Sequence, residues 1–197
     1  MDIRTLEGEG LTRSATLALS AVSGVRTEML DRARILPASR NWMRAPWYTY
    51  ARGGAMTVGR SIYFTRRYFD PQGLADGSIG STWAWLRLLA HEVGHLPQAE
   101  RFGRHATGIA RYLAAFTWQY GSRALLLRKE VHDGAPLEIE ADLGRWVLME
   151  LVGSAPLGHP LVHAVHADDH TSVQRWCREH QERITELQHR YRSERMQ

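Results

Sequence analysis

The spacing of hydrophobic residues changes several times along the chain, and each change indicates a different element. Leu17, Ala21, Val25 and Met29 follow one another at intervals of four residues. This interval places their side chains on one face of an α-helix. The pattern therefore predicts one amphipathic helix over about residues 12–33, with this face packed against the core.

The second pattern is an alternation of hydrophobic residues with small or polar ones, which is the period of a β-strand. Turn-forming pairs at Gly53-Gly54 and Gly59-Arg60 separate the runs. We predict a small antiparallel sheet from this segment. The hydrophobic residues of the alternation are Tyr48, Tyr50, Met56, Val58, Ile62 and Phe64.

The pattern then becomes helical. A glycine-rich loop over residues 70–81 leads to Ser81 and Thr82, either of which suits the N-cap of a helix. The residues that follow are hydrophobic on most sides, so we expect this helix at the centre of the fold. Pro97 is expected to end or kink the helix at that point, because proline lacks a backbone N–H.

Three more helices are predicted in the second half of the chain. The first covers about residues 109–129, the second begins after Pro136 and stops at Gly153, and the third covers about residues 173–192. The stretch between the last two helices, rich in proline and histidine, is expected to be irregular. The last helix carries a narrow hydrophobic seam of Trp176, Ile184, Leu187 and Tyr191.

Length and composition are those of an ordinary globular protein, with 197 residues, 44% hydrophobic and 23% charged. We expect a single domain over residues 1–197, with its core at about 10–153 and a charged helical extension at about 154–197. The predicted fold class is α+β and mostly helical, with a small antiparallel sheet packed on the central helix.

Composition argues against a nucleic-acid-binding protein, a membrane protein, a secreted protein and a metal site built from cysteines. The 25 Lys+Arg and 21 Asp+Glu residues are scattered along the chain, so no nucleic-acid partner is expected. No stretch reads as a membrane span, and the acidic start does not resemble a secretory signal. We therefore expect a protein that is cytoplasmic as synthesised. The single cysteine, Cys177, leaves histidines and carboxylates as the available metal ligands.

The central helix contains the motif HExxH as His91-Glu92-Val93-Gly94-His95. Residues four apart lie one helical turn above each other, so both imidazoles can bind one zinc ion. Glu92 is placed to take a proton from a zinc-bound water, whose pKa the metal lowers toward neutrality. A solvated, idle histidine pair is the alternative, but the neighbouring residues are hydrophobic, and buried imidazoles need partners.

A catalytic zinc ion needs a third protein ligand and one open position. The metzincin motif requires glycine at 98 and histidine at 101, whereas this chain has Gln98 and Arg101. Glu138 and Asp142 share one face of a later helix, so Glu138 can bind zinc while Asp142 accepts the second ring N–H of a ligand histidine. Glu140 points elsewhere. The alternative is an acidic first turn that only complements the helix dipole.

Five segments carry a resemblance to a known family. They are LDRARI at 30–35, MTVGRSIYF at 56–64, the glycine-rich loop, LLAHEVGHLPQ at 88–98 and EIEAD at 138–142. Together they resemble the HExxHxxQ core domain of gluzincin-type zinc metallopeptidases, which is found in bacterial toxin-like proteins and in proteins associated with contractile injection systems. The resemblance covers about residues 10–153, and it implies a zincin-like fold with His91 and His95 as ligands and Glu92 as base.

The Glu-x-x-Ala-Asp element at 138–142 is also similar to that of the membrane-embedded CAAX and HtpX-type peptidases, which implies Glu138 as the third ligand. Those families have membrane spans that this chain lacks. A donor that stabilises the transition state is left open among His163, His166, Tyr112 and Tyr120.

The function predicted from these residues is that of a zinc-dependent endopeptidase acting on a peptide or protein substrate. The strand near Ser61–Thr65 is expected to be an edge that pairs with an extended substrate, or else one that only completes the sheet. Delivery by a specialised secretion system and association with a larger secretion or toxin assembly are further expectations. The alternative function is a catalytically silent, zinc-stabilised adaptor domain of such an assembly.

Overall fold

We analysed a computed structural model that describes residues 9–40, 54–103, 105–122 and 135–195. These residues are mostly helical and include one small sheet, which confirms the predicted α+β class. None of the described helices combines the length and hydrophobicity needed to cross a bilayer.

The strands are β1 (Arg34–Pro37), β2 (Ala55–Val58) and β3 (Ser61–Phe64). The helices are α1 (Arg13–Ser23), α2 (Thr27–Leu30), α3 (Ile79–Glu92), α4 (His95–Phe102), α5 (Ala106–Ser122), α6 (Pro136–Ala141), α7 (Leu143–Val152), α8 (Pro160–His166), α9 (His170–Glu179) and α10 (Gln181–Arg195).

The first helical stretch is shorter than predicted. The side chain of Thr12 accepts the Ala15 N–H and starts α1, and Gly24 ends it in the left-handed conformation with a φ of 71°. Glycine adopts this conformation without a steric cost, which makes it a common helix stop. The single helix predicted over 12–33 is therefore wrong: α2 follows the break, and strand β1 comes next.

The sheet has the strand order β1-β3-β2. β2 and β3 form the predicted antiparallel hairpin, and Gly59 turns it with a φ of 63°. β1 pairs in parallel with the other side of β3. The expectation that the strand at Ser61–Thr65 is an edge is wrong, because β1 makes β3 the central strand. Tyr48 and Tyr50, which were also predicted to lie in this sheet, fall outside the described residues.

The central helix starts earlier and breaks earlier than predicted. Ser78, not Ser81 or Thr82, is the N-cap of α3. The break lies at Val93 and Gly94, one turn before Pro97. A proline ring clashes with the carbonyl four residues before it and offers that carbonyl no N–H.

The backbone around Val93 shows how the helix adjusts to Pro97. The Val93 carbonyl accepts the Leu96 N–H at 3.1 Å, and the Gly94 N–H binds the His91 carbonyl at 2.9 Å. Both hydrogen bonds span three residues, so the turn is tightened. The two motif histidines therefore lie on either side of the break, contrary to the expectation that both precede it.

The later helices follow the predicted pattern with additional breaks. The α5 helix is described to Ser122, and the predicted remainder to residue 129 lies outside the described residues. The helix predicted after Pro136 is divided into α6 and α7 at Asp142, and it ends at Gly153 as predicted. The helix predicted over 173–192 is divided into α9 and α10 at His180.

One hydrophobic cluster joins α1, α3, α7, α8, α9 and α10. The predicted seam of the last helices is buried within this cluster, which confirms the hydrophobic pattern there. The stretch expected to be irregular contains α8, whose Leu161, Val162 and Val165 are buried. Residues beyond 154 thus contribute to the same cluster as the HExxH helix. Its most buried members include Leu19, Val22, Leu86, Leu89, Val147, Leu148, Leu161 and Leu187.

Candidate metal centre

Three buried side chains from three helices converge near the break between α3 and α4. His91 of α3, His95 of α4 and Glu138 of α6 are 8%, 4% and 7% exposed. Each offers one ligand atom, and these atoms all lie within 4.8 Å of one another. The structure therefore brings together the two histidines and the distant glutamate that the sequence predicted to share a metal ion.

Two glycines allow the helices to approach closely enough. A Cβ atom at Gly94, between the two histidines, would lie 2.4 Å from the Ala141 carbonyl oxygen at the end of α6. A Cβ atom at Gly144 of α7 would lie 2.5 Å from the Ala90 carbonyl oxygen. Real Cβ atoms cannot approach backbone so closely. The α6–α7 unit therefore lies backbone to backbone against α3 and α4, which positions Glu138 beside the imidazoles.

Asp142 orients the ring of His91 as predicted. The Asp142 Oδ1 atom lies 2.8 Å from His91 Nδ1, and Arg145 donates to Oδ2 at 2.7 Å. Burial raises the pKa of the Asp142 carboxyl, but the contacts with His91 and Arg145 outweigh burial and hold the pKa below its usual value. An ionised carboxylate only accepts, so His91 carries a proton on Nδ1, and Nε2 is the ring nitrogen that faces Glu138 and is available to a metal ion.

The distances among the ligand atoms suit a tetrahedral metal ion. His91 Nε2 lies 3.2 Å from Glu138 Oε2 and 3.4 Å from His95 Nε2, and His95 Nε2 lies 3.8 Å from Glu138 Oε2. Bonds of about 2.0–2.2 Å arranged as a tetrahedron place ligand atoms about 3.3–3.6 Å apart. The three residues therefore fit a tetrahedrally coordinated metal ion, such as zinc.

The electrostatics of the cluster also favour a cation. Burial lowers the pKa of His91, but Asp142, Glu138 and Glu92 outweigh burial and raise the pKa to about 10. A lone pair facing a buried carboxylate is unfavourable unless a positive charge lies between them. A proton or a metal ion can supply that charge.

Glu92 lies beside the cluster and is 3% exposed. The hydroxyl of Thr57, on strand β2, lies 2.8 Å from Glu92 Oε2 and 3.0 Å from the Glu92 carbonyl oxygen. Sequence reasoning missed Thr57, because its position depends on how the hairpin packs against α3. No local signal in the sequence could have found it.

Tyr112 of α5 is the candidate donor whose hydroxyl feels the charges of Glu92 and Glu138. It is buried at 2% exposure, and its ring packs against Phe102. Burial raises the pKa of the Tyr112 hydroxyl, and the negative charges of Glu92 and Glu138 raise it further. The hydroxyl therefore stays protonated within the influence of both carboxylates.

The other candidate donors lie elsewhere. His166 Nδ1 is 2.9 Å from the Thr82 hydroxyl near the start of α3. Thr82 is nine residues before His91, which corresponds to about 13 Å along a helix. His163 is exposed on α8. His166 is thus remote from the metal centre, and the Tyr120 side chain falls outside the described residues.

Comparison with known proteins does not assign the chain to a family. No protein-family model matches it, no curated protein matches its sequence, and no solved structure matches it. The resemblance to the HExxHxxQ core domain therefore stays a prediction.

Proposed function

We propose that this protein is a zinc-dependent peptidase of the gluzincin type with a zincin-like fold. The observation that carries the proposal is the spacing of 3.2–3.8 Å among two imidazole nitrogens and one carboxylate oxygen. Two nitrogen ligands favour zinc over magnesium or calcium, which prefer oxygen ligands throughout. His91, His95 and Glu138 would hold the ion.

The chain's own residues have separate roles in this proposal. A bound zinc ion supplies a Lewis acid that polarises the substrate carbonyl and lowers the pKa of water toward neutrality. Glu92, held by Thr57, takes the proton of the attacking water and passes it to the leaving amine. The protonated hydroxyl of Tyr112 donates a hydrogen bond to the oxyanion of the substrate.

The position of strand β2 favours a peptide as the substrate. Within the described residues, β2 pairs with β3 on one side only, and it packs against α3 and α4. Its Thr57 contacts Glu92, so the strand lies directly beside the centre. We propose that β2, rather than β3, pairs with an extended peptide through backbone hydrogen bonds. Binding of this kind tolerates different substrate sequences.

The decisive experiment combines metal analysis with cleavage of a peptide library. The purified protein is expected to contain one zinc ion and to cleave peptides from the library. Glu92→Gln should keep the zinc and lose cleavage, whereas Glu138→Ala should lose both. Glu100→Gln, on the same helix as His95, serves as the charge-matched control and should change neither. Absence of zinc from the protein, or full cleavage by Glu92→Gln, would overturn the proposal.

The burial of the ligands also motivates a second candidate function. All three ligand residues are more than nine-tenths buried, which would equally suit a structural metal site in a non-catalytic adaptor. A protein that binds zinc, resists unfolding because of it, and cleaves no peptide at any pH would support the adaptor. We propose that the protein acts, as a peptidase or as an adaptor, in the cytoplasm of the producing cell or in a secretion-related assembly.

A further inference from the structure

Gln98 contacts one candidate ligand, His95, and also the helix α6 that carries another, Glu138. It is fully buried, at 0% exposure, and lies three residues after His95 on α4. Its Oε1 atom is 2.9 Å from His95 Nδ1. Its Nε2 atom donates to the Leu137 carbonyl at 2.8 Å and to Glu140 Oε2 at 3.2 Å. A buried amide with all of these contacts has a specific orientation.

The partners of the amide fix which way it points. The Leu137 carbonyl and the Glu140 carboxylate can only accept hydrogen bonds, so the NH₂ group of Gln98 must face them. Its oxygen must then face His95, and an oxygen can only accept. His95 therefore carries its proton on Nδ1, which leaves the lone pair of Nε2 directed at His91 and Glu138.

The same amide ties α4 to α6. Leu137 immediately precedes Glu138 in the first turn of α6, so the hydrogen bond from Gln98 reaches the backbone next to the third ligand. Glu140, the second acceptor, also pairs with the exposed side chain of Arg101, a kind of ion pair that contributes little to stability. A shift of α6 away from α4 would break both contacts of the NH₂ group. The position of Glu138 is thus linked to the orientation of His95.

We propose that Gln98 is a positioning residue that fixes the tautomer of His95 and holds the helix carrying Glu138 against it. This inference rests on the metal centre of the proposed function, but not on peptidase activity. Loss of the residue that accepts the second ring N–H of a metal-bound imidazole typically weakens metal binding by about 10- to 100-fold.

The test measures metal affinity and the His95 proton separately. Co²⁺ and Zn²⁺ affinities are measured by competition with a chromophoric chelator for the full chain, Gln98→Leu, Gln98→Glu and Arg101→Gln. The Nδ1–H signal of His95 is followed by NMR in ¹⁵N-histidine-labelled, zinc-loaded protein. Arg101→Gln is the matched control, because it removes the other contact of Glu140 without touching His95.

Gln98→Leu is expected to weaken metal binding by about 10- to 100-fold and to abolish the Nδ1–H signal. Gln98→Glu keeps an oxygen for His95 but places a carboxylate against Leu137 and Glu140, so it should retain the signal and still bind metal more weakly. Arg101→Gln should bind as tightly as the unmodified chain. Wild-type affinity and an unchanged His95 signal in Gln98→Leu would overturn the inference while leaving the proposed function intact. A wild-type chain that binds neither metal would overturn both.

Discussion

At the scale of single residues, the hydroxyl of Thr57 has two acceptors and one proton. It lies 2.8 Å from the Glu92 carboxylate and 3.0 Å from the Glu92 carbonyl, and it can donate to one at a time. Donation to the carboxylate restrains the proposed base at the end of α3. The contact joins the sheet to the motif helix at the residue whose orientation matters most for proton transfer.

We expect Thr57→Val to lower kcat about tenfold, because it removes a hydrogen bond to a charged group while keeping the shape of the side chain. Zinc content should not change, since the hydroxyl of Thr57 contacts Glu92, which is not a proposed ligand. Thr57→Ser, which keeps the hydroxyl, should recover most of the lost activity. Steady-state kinetics on a cleaved peptide and metal analysis of all three proteins check this. A loss of zinc in Thr57→Val would contradict it.

Asp168 is a second residue whose role is local and measurable. Its φ of 52° is unusual for a residue other than glycine, and its Oδ1 atom accepts the Ser14 N–H at 3.1 Å. It thereby caps the first turn of α1 from a distant part of the chain. Asparagine tolerates this backbone conformation and can accept the same hydrogen bond, whereas alanine can do neither well.

Asp168→Ala is therefore expected to reduce the free energy of unfolding by about 1–3 kcal/mol, from the lost cap and the strained backbone together. Asp168→Asn should lose less than half as much. Urea denaturation followed by circular dichroism measures both variants. Equal destabilisation by alanine and asparagine would show that the charge of Asp168, rather than its conformation and hydrogen bond, is what matters.

At the scale of elements, the centre depends on how closely α6 approaches the break between α3 and α4. Gly94 lies at that break, and a methyl group there would meet the Ala141 carbonyl oxygen at 2.4 Å. Backbone on both sides leaves no flexible side chain to move away. The substitution must therefore displace α6, and with it Glu138.

Gly94→Ala is expected to weaken zinc binding at least tenfold, because the third ligand moves away from the two imidazoles. Overpacking of this kind also costs about 1–3 kcal/mol of stability. Gly158→Ala is the matched control, since a methyl group there meets nothing within 4 Å. Zinc competition and thermal unfolding of both variants test the prediction. It fails if Gly94→Ala binds zinc as tightly as Gly158→Ala.

Sequence patterns predicted the parts of the site that follow from helical periodicity. A spacing of four residues, about one helical turn, predicted that His91 and His95 lie close together, and the same spacing relates Glu138 to Asp142. Pairing of β1 with β3 joins segments that are distant in sequence, so no local pattern indicates it. The break at Val93 was misplaced for a different reason: the effect of Pro97 falls on the carbonyl one turn before it.

The contacts of Gln98 and Thr57 could not be derived either, because their partners lie on other elements. Both residues lie in segments that resemble the HExxHxxQ core domain, but only the packing of α6 and β2 against the motif helices gives them a role. The candidate ligands and Asp142 can thus be predicted from spacing, whereas the contacts of Gln98 and Thr57 depend on tertiary structure.

At the scale of the whole molecule, the candidate metal centre is built from three separate helices. His91, His95 and Glu138 come from α3, α4 and α6, and unfolding separates all three. A zinc ion that binds the folded chain and not the unfolded one stabilises it by mass action. The gain is about 4 kcal/mol when free zinc exceeds its Kd a thousandfold.

Removal of zinc with a chelator is therefore expected to lower Tm by several degrees, and restoring zinc should reverse the change. The shift should grow with zinc concentration, because the stabilisation depends on the logarithm of free metal. Glu138→Ala should unfold at one temperature whether or not zinc is present, while Glu92→Gln should respond as the unmodified chain does, since Glu92 is not a ligand. Differential scanning calorimetry over a series of zinc concentrations measures all three proteins. A zinc-dependent Tm in Glu138→Ala equal to that of the unmodified chain would remove Glu138 from the ligand set.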